Sequence, residues 1–182
     1  MNNYKKNHIV FGITGGIAVY KAADLCSLLR KNGFETRVVM TNHAEALISE
    51  KIFFTLSGNN VVTDLFQTQY SAIPEHVHLA EWADLLLVAP CTANFIGKYA
   101  NGIADDALST IAITHRKPVL LAPAMNTDMW NSPAFQRNFK TLQEWGVQFV
   151  GPETGLLACG TTGIGRMSEP NKILTKVQEI LS

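Results

Sequence analysis

The sequence has few charged residues and few cysteines, and both shortages restrict what the protein can be. Only 16% of its 182 residues are charged, and 15 basic residues balance 15 acidic ones. No net charge is therefore present to attract nucleic acid or an acidic surface. The three cysteines, Cys26, Cys91 and Cys159, are too few and too widely spaced for a disulfide framework or a metal-ligand pattern. We expect no nucleic-acid partner and no metal site.

Long hydrophobic runs are also missing. No stretch approaches the roughly 20 apolar residues that a membrane-spanning helix needs, and no targeting segment is recognisable. These absences predict a soluble, cytoplasmic protein without a membrane partner. The 47% of apolar residues is enough for a sizeable core in one domain covering residues 1–182. So much apolar surface with so few charges also favours an oligomer.

Short apolar runs alternate with segments of helical periodicity along most of the chain. This alternation predicts an α/β fold, a doubly wound and mostly parallel sheet with helices on both faces. The expected strands cover residues 9–13, 36–40, 84–89, 119–122 and 147–150. The expected helices cover residues 17–29, 45–54, 92–99, 105–114, 132–145 and 171–181. Residues 151–169 contain five glycines and are predicted to form an irregular, mobile lid.

Uncharged polar residues follow three of the predicted strands. Gly15 and Gly16 come after the first strand, Thr41 ends the second, and residues 92–94 follow the third. Glycines at a helix start can admit a phosphate, although the same pattern also suits a plain strand-to-helix turn. Hydroxyls and amides without charge favour a neutral ring system with one phosphate. Asp105 and Asp106 are more simply a helix-end pair than a Mg²⁺ site.

The segment 117–130, KPVLLAPAMNTDMW, begins as a buried strand and breaks at Pro123. It then places Asn126 between two methionines and close to Trp130. Ligands of open α/β sheets sit at the carboxyl ends of the strands. The segment therefore reads either as a pocket wall with one directional hydrogen-bonding group or as a strand that leaves the core through a hydrophobic plug.

Two further residue types are candidates for chemistry. His76 and His78 stand close together, and each could be a surface or capping histidine instead of a functional one. Cys159 lies in the glycine-rich stretch, where a free thiol is better explained as a reactive group on the lid than as core. Cys26 lies on an apolar helix face and is expected in the core, and Cys91 is expected to pack near the ligand.

Taken together, several segments resemble the flavin-containing cysteine decarboxylase family. They are the stretch PAMNTDMW at 123–130, His76-Val77 with Leu79, and the segments 89–94, 102–106, 158–160 and 165–167. The resemblance covers nearly the whole chain. The last motif is similar to that of the branch acting on phosphopantothenoylcysteine, and in particular to the amino-terminal half of a bacterial bifunctional coenzyme A enzyme. Plant relatives carry a basic residue where this chain has Ala80-Glu81. The resemblance therefore implies no substrate-phosphate contact from that position.

The resemblance implies a flavodoxin- or Rossmann-like fold, FMN bound between protomers, and a homotrimer or a dodecamer built of trimers. It also implies decarboxylation of 4′-phospho-N-pantothenoylcysteine to 4′-phosphopantetheine in coenzyme A biosynthesis. In that family the substrate thiol is oxidised to a thioaldehyde, CO₂ leaves, and the remaining enethiol is reduced.

By the same resemblance, His76 is the acid/base of the oxidation half, Asn126 holds the substrate carboxylate and Cys159 protonates the enethiol. Met129 and Ala158 would join Asn126 and Cys159 in binding substrate. The residues implied for FMN are Gly15, Gly16, Ile17, Thr41, Pro90, Thr92, Ala93, Asn94, Phe95, Ser109 and Ala124.

We consider three alternatives to this function. Peptidyl-cysteine decarboxylases of the lantibiotic type share the His and Asn motifs but lack the Ala-Cys-Gly motif that stands here at 158–160. Some family members are FMN-binding regulatory proteins that inhibit a phosphatase. Flavin prenyltransferases share the fold but lack both the P-x-M-N motif and the lid cysteine.

Overall fold

A five-stranded parallel sheet forms the centre of the molecule. The structure, a computed structural model, describes residues 7–65 and 73–182. The strands lie in the order β2-β1-β3-β4-β5, and every neighbouring pair is parallel. Their bounds are β1 His8–Ile13, β2 Glu35–Met40, β3 Leu85–Cys91, β4 Val119–Pro123 and β5 Gln148–Phe149. The predicted doubly wound fold is confirmed.

Helices connect these strands, and a small antiparallel hairpin stands apart from the sheet. The hairpin strands are β6 Glu153–Leu156 and β7 Thr162–Arg166. The helices are α1 Val19–Lys31, α2 Asn42–Glu45, α3 Glu50–Ser57, α4 Glu75–Trp82, α5 Ala93–Ala100, α6 Ala107–Thr114, α7 Thr127–Asn131, α8 Pro133–Glu144 and α9 Pro170–Leu181. Within the described residues, no helix has the length and apolar character needed to cross a membrane.

Two hydrophobic layers cover the two faces of the sheet. Phe11 of β1 packs in the layer that contains Leu25 of α1 and Val177 of α9. Its neighbour Val10 packs in the opposite layer, which contains residues of α4, α5, α6 and α8. Successive strand residues point to opposite faces, so a sheet covered on both sides needs apolar residues at every position. This explains why the strands are continuous apolar runs in the sequence.

Several predicted elements differ from the structure. The helix expected over 45–54 begins only at Glu50, as α3, because Ser49 accepts a hydrogen bond from the backbone N–H of Lys51 and caps the helix there; the short helix α2, which ends at Glu45, was not predicted. Strand β3 continues through Pro90 to Cys91, two residues beyond its predicted end. The ladder with β4 shifts register between Val88 and Cys91, so the missing N–H of Pro90 costs no regular pairing. Helices α4 and α7 were not predicted, and residues 151–169, expected to be irregular, contain the β6–β7 hairpin.

Candidate active site

The loops after β1 and β3 are joined by the side chain of Thr14. This residue is only 2% exposed. Its hydroxyl donates to the carbonyl of Pro90 at 2.8 Å and accepts from the backbone N–H of Thr92 at 3.0 Å. Both bonds are buried or partly buried, where an unpaired polar group is costly. The hydroxyl therefore fixes the two loops relative to each other at the carboxyl edge of the sheet.

A small cavity of about 220 Å³ opens beside these loops. Thr41 lines it, and the hydroxyl of this residue is buried without a hydrogen-bond partner. Gly15 also lines it, and a Cβ at this position would overlap His43 in the short helix α2. An orphaned buried hydroxyl beside a turn that only glycine can make fits a bound polar group of the predicted flavin.

Lys98 contributes to the same cavity but is already paired. Its ammonium lies 2.6 Å from Asp105 and 2.8 Å from Asp106. Burial acts to raise the pKa of Asp106, but hydrogen bonds from Lys98 and Ser109 outweigh it and hold the pKa below its usual range. Asp106 and Ser109 also form the capping box of α6. The prediction of a helix-end pair is confirmed, and the described residues contain no group of three or more side chains suited to a metal ion.

A larger cavity of about 730 Å³ runs from the first helix to the hairpin. One wall comes from the loop after β1 and the start of α1, and another from the loop after β4. The hairpin supplies the remaining wall. The lining residues are Gly15, Gly16, Ile17, Ala18, Tyr20, Lys21, Thr92, Ala93, Ala124, Met125, Asn126, Met129, Leu156, Leu157, Ala158, Cys159, Gly165, Arg166 and Met167.

Asn126 is held in a defined orientation within this cavity. It is the N-cap of α7, and its side-chain oxygen accepts from the backbone N–H of Asp128 at 2.7 Å. A backbone N–H can only donate, so the other end of the amide must be the NH₂ group. That group lies 3.7 Å from the sulfur of Cys159 and donates to it. The capping bond thus directs a neutral donor towards the thiol.

Cys159 is exposed at the tip of the hairpin. Its sulfur lies 3.1 Å from the hydroxyl of Thr161. Hydrogen bonding from Thr161, with a smaller contribution from Asn126, lowers the pKa of the thiol. The two other cysteines are buried, and burial raises the pKa of Cys26 to about 12 and that of Cys91 well above its usual value. Cys91 lines neither cavity. Only Cys159 has the environment of a reactive thiol.

The hairpin docks on the loop that carries Asn126. The backbone N–H of Met125 donates to the carbonyl of Gly165 at 3.0 Å, and the hydroxyl of Thr127 donates to that of Ile164 at 2.8 Å. A Cβ at Gly165 would overlap the carbonyl of Met125, so this approach requires glycine. Strand β7 is therefore seated beside Asn126, while the tip that carries Cys159 projects into the cavity.

The charged side chains that line the large cavity are both cations. Lys21 is buried, and its ammonium lies 2.8 Å from a carboxylate oxygen of Glu169. Arg166 lies 3.4 Å from the same oxygen and 3.5 Å from Glu153. The cavity thus has two positive groups at its wall, each paired with a carboxylate that does not line it. An anionic ligand would have to take the place of these carboxylates as the partner of the two cations.

Most of the predicted site residues come together in these two cavities. The large cavity collects Gly15, Gly16, Ile17, Thr92, Ala93, Ala124, Asn126, Met129, Ala158 and Cys159. The small one adds Thr41, Asn94 and Phe95, and shares Gly15, Thr92 and Met129 with it. The pocket-wall interpretation of the segment 117–130 fits this geometry better than a hydrophobic plug, because Asn126 and Met129 face a cavity.

Three predicted residues do not line either cavity. Pro90 contributes its carbonyl to the bonds with Thr14, and Ser109 is fully buried in the cap of α6. His76 lies in the first turn of α4, partly exposed, and His78 is exposed on the same helix. Within one chain, the structure therefore does not bring His76 to Asn126 and Cys159.

Sequence reasoning missed several lining residues. His43 belongs to a short helix that the predicted 45–54 helix did not include. Lys21 lies in the first turn of α1, directly after the glycine turn, and Arg166 belongs to a motif that carried the resemblance. Lys21 could have been predicted, because it is a cation about one helical turn after the glycine pair that was expected to bind phosphate.

Known proteins resemble this chain over most of its length. The chain matches the model of a family described as Flavoprotein over residues 1–182. It is 44% identical to the coenzyme A biosynthesis bifunctional protein CoaBC of Haemophilus influenzae over 96% of its length. That match covers 44% of the relative, so the chain spans less than half the length of this protein. CoaBC of Bacillus subtilis is 46% identical over 92% of the chain and 41% of the relative.

Solved structures show the same fold over whole chains. A cysteine-to-serine mutant of PPC decarboxylase, complexed with pantothenoylaminoethenethiol, superimposes with a TM-score of 0.90 and 31% identity. The match covers 97% of this chain and 99% of that one.

Proposed function

Because the chain belongs to the Flavoprotein family, we propose that it is an FMN-dependent decarboxylase of 4′-phospho-N-pantothenoylcysteine. The product would be 4′-phosphopantetheine, an intermediate of coenzyme A biosynthesis. The bifunctional relatives are named for that biosynthesis, and a solved relative matching nearly the whole chain is a PPC decarboxylase. A cytoplasmic location stays a prediction.

One observation carries the proposal. The amide of Asn126 and the thiol of Cys159 meet at 3.7 Å in a cavity that extends to Gly15 and Gly16. This cavity has a glycine turn at one end, and at the other an oriented amide beside a thiol with a lowered pKa. It therefore suits a cofactor and a small carboxylate substrate together. The buried, unpartnered hydroxyl of Thr41 supports flavin binding in the adjoining small cavity.

FMN would be held by the loops after β1, β2 and β3, and when bound it would take a hydride from the substrate and later return it. The chain's own groups bind and move protons. His76 accepts the thiol proton as the substrate's CH₂–SH group becomes a thioaldehyde. The Asn126 amide donates to the substrate carboxylate, which leaves as CO₂, and the electron pair of the broken bond gives an enethiolate. Cys159 supplies the proton at carbon when the double bond is reduced.

The lowered pKa of Cys159 suits this last role. A thiol that releases its proton more readily than usual is the better general acid. The hydrogen bond from Thr161 that lowers the pKa also stabilises the thiolate left behind. Cys26 and Cys91 have raised pKa values and lie in the core, so neither can replace it.

A second protomer would complete the site. His76 lines neither cavity of its own chain. Ile17 and Tyr20 line the large cavity yet are 65% and 63% exposed, which supports their being covered by another copy. We infer a homotrimer, alone or assembled into a dodecamer, in which His76 faces the cavity of the neighbouring protomer.

A complementation experiment tests this shared site. His76→Asn and Cys159→Ser protomers, neither of which should form 4′-phosphopantetheine alone, should form it when denatured together and refolded as mixed oligomers. Mixed oligomers without activity, beside active refolded wild type, would contradict a site shared between protomers.

The phosphate of the proposed substrate matches the two cations at the cavity wall. Lys21 and Arg166 are paired with the carboxylate of Glu169, which a phosphate dianion can replace as their partner. Pantothenoylcysteine without the phosphate should therefore bind more weakly than the phosphorylated substrate.

The deciding experiment uses the purified protein reconstituted with FMN. Heat-released ligand should be FMN by mass spectrometry, and the protein should convert 4′-phospho-N-pantothenoylcysteine to equal amounts of CO₂ and 4′-phosphopantetheine. The His76→Asn variant should bind FMN normally and lose turnover, while His78→Asn keeps most of it. FMN binding without CO₂ release would favour a regulatory flavoprotein, and release only from a peptide ending in cysteine would favour the peptidyl class.

A further inference from the structure

The carboxyl-terminal end of α4 is held by two side chains from the loop between α6 and β4. The last carbonyls of a helix have no partner within it. In α4, the carbonyl of Ala80 lies 2.9 Å from Nδ1 of His115, and that of Glu81 accepts from the ammonium of Lys117 at 3.0 Å. Donors at this end also complement the negative end of the helix dipole.

His115 is buried, with only 5% of its surface exposed. Its second ring nitrogen, Nε2, lies 3.2 Å from the carbonyl of Pro118. Carbonyl oxygens only accept, so the ring can serve either partner only as a donor. A neutral ring has a single N–H and donates to only one of these carbonyls at a time. The contact with Ala80 in α4 is the shorter, and the other stays within the ring's own loop. The proposed chemistry does not use this buried polar ring.

The helix that His115 holds is the one that carries His76. His76 lies one turn before Ala80, so the two residues share a face of α4. Leu79 and Ala80 are buried in the layer that also contains Ile111 of α6. A single helix of eight residues moves largely as one body, so a bond at Ala80 also fixes the place of His76.

We infer that His115 is a positioning residue for His76, acting through the carbonyl of Ala80. The inference rests on the proposed function, because it assigns His115 a purpose only if His76 is the acid/base. A displacement of about 1 Å at a catalytic group can slow a reaction by about 10²-fold. Flavin reduction in a single turnover, the step that needs His76, is therefore the informative rate.

Two substitutions of His115 distinguish its contact with Ala80 from its contact with Pro118. His115→Asn places an amide N–H where Nδ1 lies and keeps the bond to Ala80, while His115→Gln places it where Nε2 lies and keeps only the bond to Pro118. We expect His115→Asn to reduce the flavin at nearly the wild-type rate. His115→Gln should slow that step by about tenfold or more. FMN affinity should be unchanged in both.

The control is Arg116→Gln, which alters an exposed side chain of the same loop. Melting temperatures are measured for all three variants. A merely structural His115 would give the Asn and Gln variants equal losses in rate and in melting temperature, and that result would overturn the inference. Equal, wild-type rates in both variants would also overturn it.

A failure of the proposed function would give a different experimental result from a failure of the positioning role. If His76→Asn still reduces the flavin at the wild-type rate, the acid/base assignment fails, whatever the His115 variants do. If His76→Asn abolishes reduction while His115→Gln does not slow it, only the positioning role fails.

Discussion

The two ends of the large cavity are built differently. The cofactor end, around Gly15 and Gly16, consists of loops at strand ends that the buried side chain of Thr14 joins, through bonds to the carbonyl of Pro90 and the N–H of Thr92. The hairpin tip, residues 157–161, is mostly exposed, and the side-chain partners of its thiol are Thr161 and Asn126. The loops at the cofactor end are thus tied together by buried or partly buried hydrogen bonds, while the proposed proton donor, Cys159, is left exposed.

The cysteines show the same contrast. Cys26 and Cys91 are packed in the two core layers and behave as small apolar side chains. Cys159 differs from them in exposure and in hydrogen bonding, and those two properties set its pKa in the opposite direction. The pKa of each cysteine in this chain thus follows its surroundings.

The largest effect should come from Asn126→Asp, at the boundary between the two ends. Asp is as good an N-cap as Asn, so α7 should keep its capping bond from Asp128. The donor to the substrate carboxylate is replaced by a like charge, however. Losing the bond alone costs about 1.5–3 kcal/mol, or about 10- to 150-fold. We expect kcat/KM to fall further than this, with an unchanged melting temperature.

Steady-state kinetics and a thermal melt on the same preparation check this prediction. Asn126→Ser is the matched control, since it also caps the helix but carries no amide and no charge. It should lose less activity than Asn126→Asp. If the Asp variant keeps wild-type substrate affinity, Asn126 does not hold the carboxylate.

A smaller effect should follow from breaking the cofactor end at Thr14. Thr14→Val keeps the shape but leaves the buried N–H of Thr92 without its partner, at a cost of about 1–3 kcal/mol. If this bond fixes the two loops for the cofactor, FMN should bind about tenfold more weakly by flavin fluorescence titration. Thr14→Ser keeps the hydroxyl and should bind FMN as wild type. An unchanged FMN affinity in Thr14→Val would mean that the loops hold their places without it.

The smallest effect should be at the hairpin tip. Thr161→Ala removes the main cause of the lowered pKa of Cys159, so less thiolate is present at neutral pH. Alkylation of Cys159 should become slower at neutral pH, and its pH profile should shift to higher pH. Mass spectrometry after iodoacetamide treatment measures the rate, with the buried Cys26 and Cys91 as unreactive internal references. An unshifted profile would show that Thr161 does not tune the thiol.

The sheet and the lining residues could be predicted for a common reason. Residues such as Phe11 and Val10 are apolar because both faces are covered, and polar residues such as Thr41 and Asn126 follow strands whose ends meet at one edge. The order of apolar and polar residues along the chain is therefore enough to predict the strands and the residues at their ends.

What the sequence did not reveal depends on contacts between distant segments. The hairpin at 153–166 is seated by bonds from Met125 and Thr127, which no periodicity within 151–169 records. The pairing of Lys21 with Glu169 joins residues far apart in the chain. His76 lies outside both cavities of its own chain. A single sequence does not show which surfaces of two protomers would meet.

A single turnover of Cys159→Ser with FMN and 4′-phospho-N-pantothenoylcysteine tests the division of labour between the two ends most directly. If the cofactor end oxidises the substrate and the hairpin tip protonates it, the variant should release CO₂, keep its flavin reduced and accumulate the enethiol instead of 4′-phosphopantetheine. Cys26→Ser should complete the reaction like the wild type. If CO₂ and the thiol product fall together in Cys159→Ser, the thiol acts before decarboxylation or only shapes the tip, and the account is contradicted.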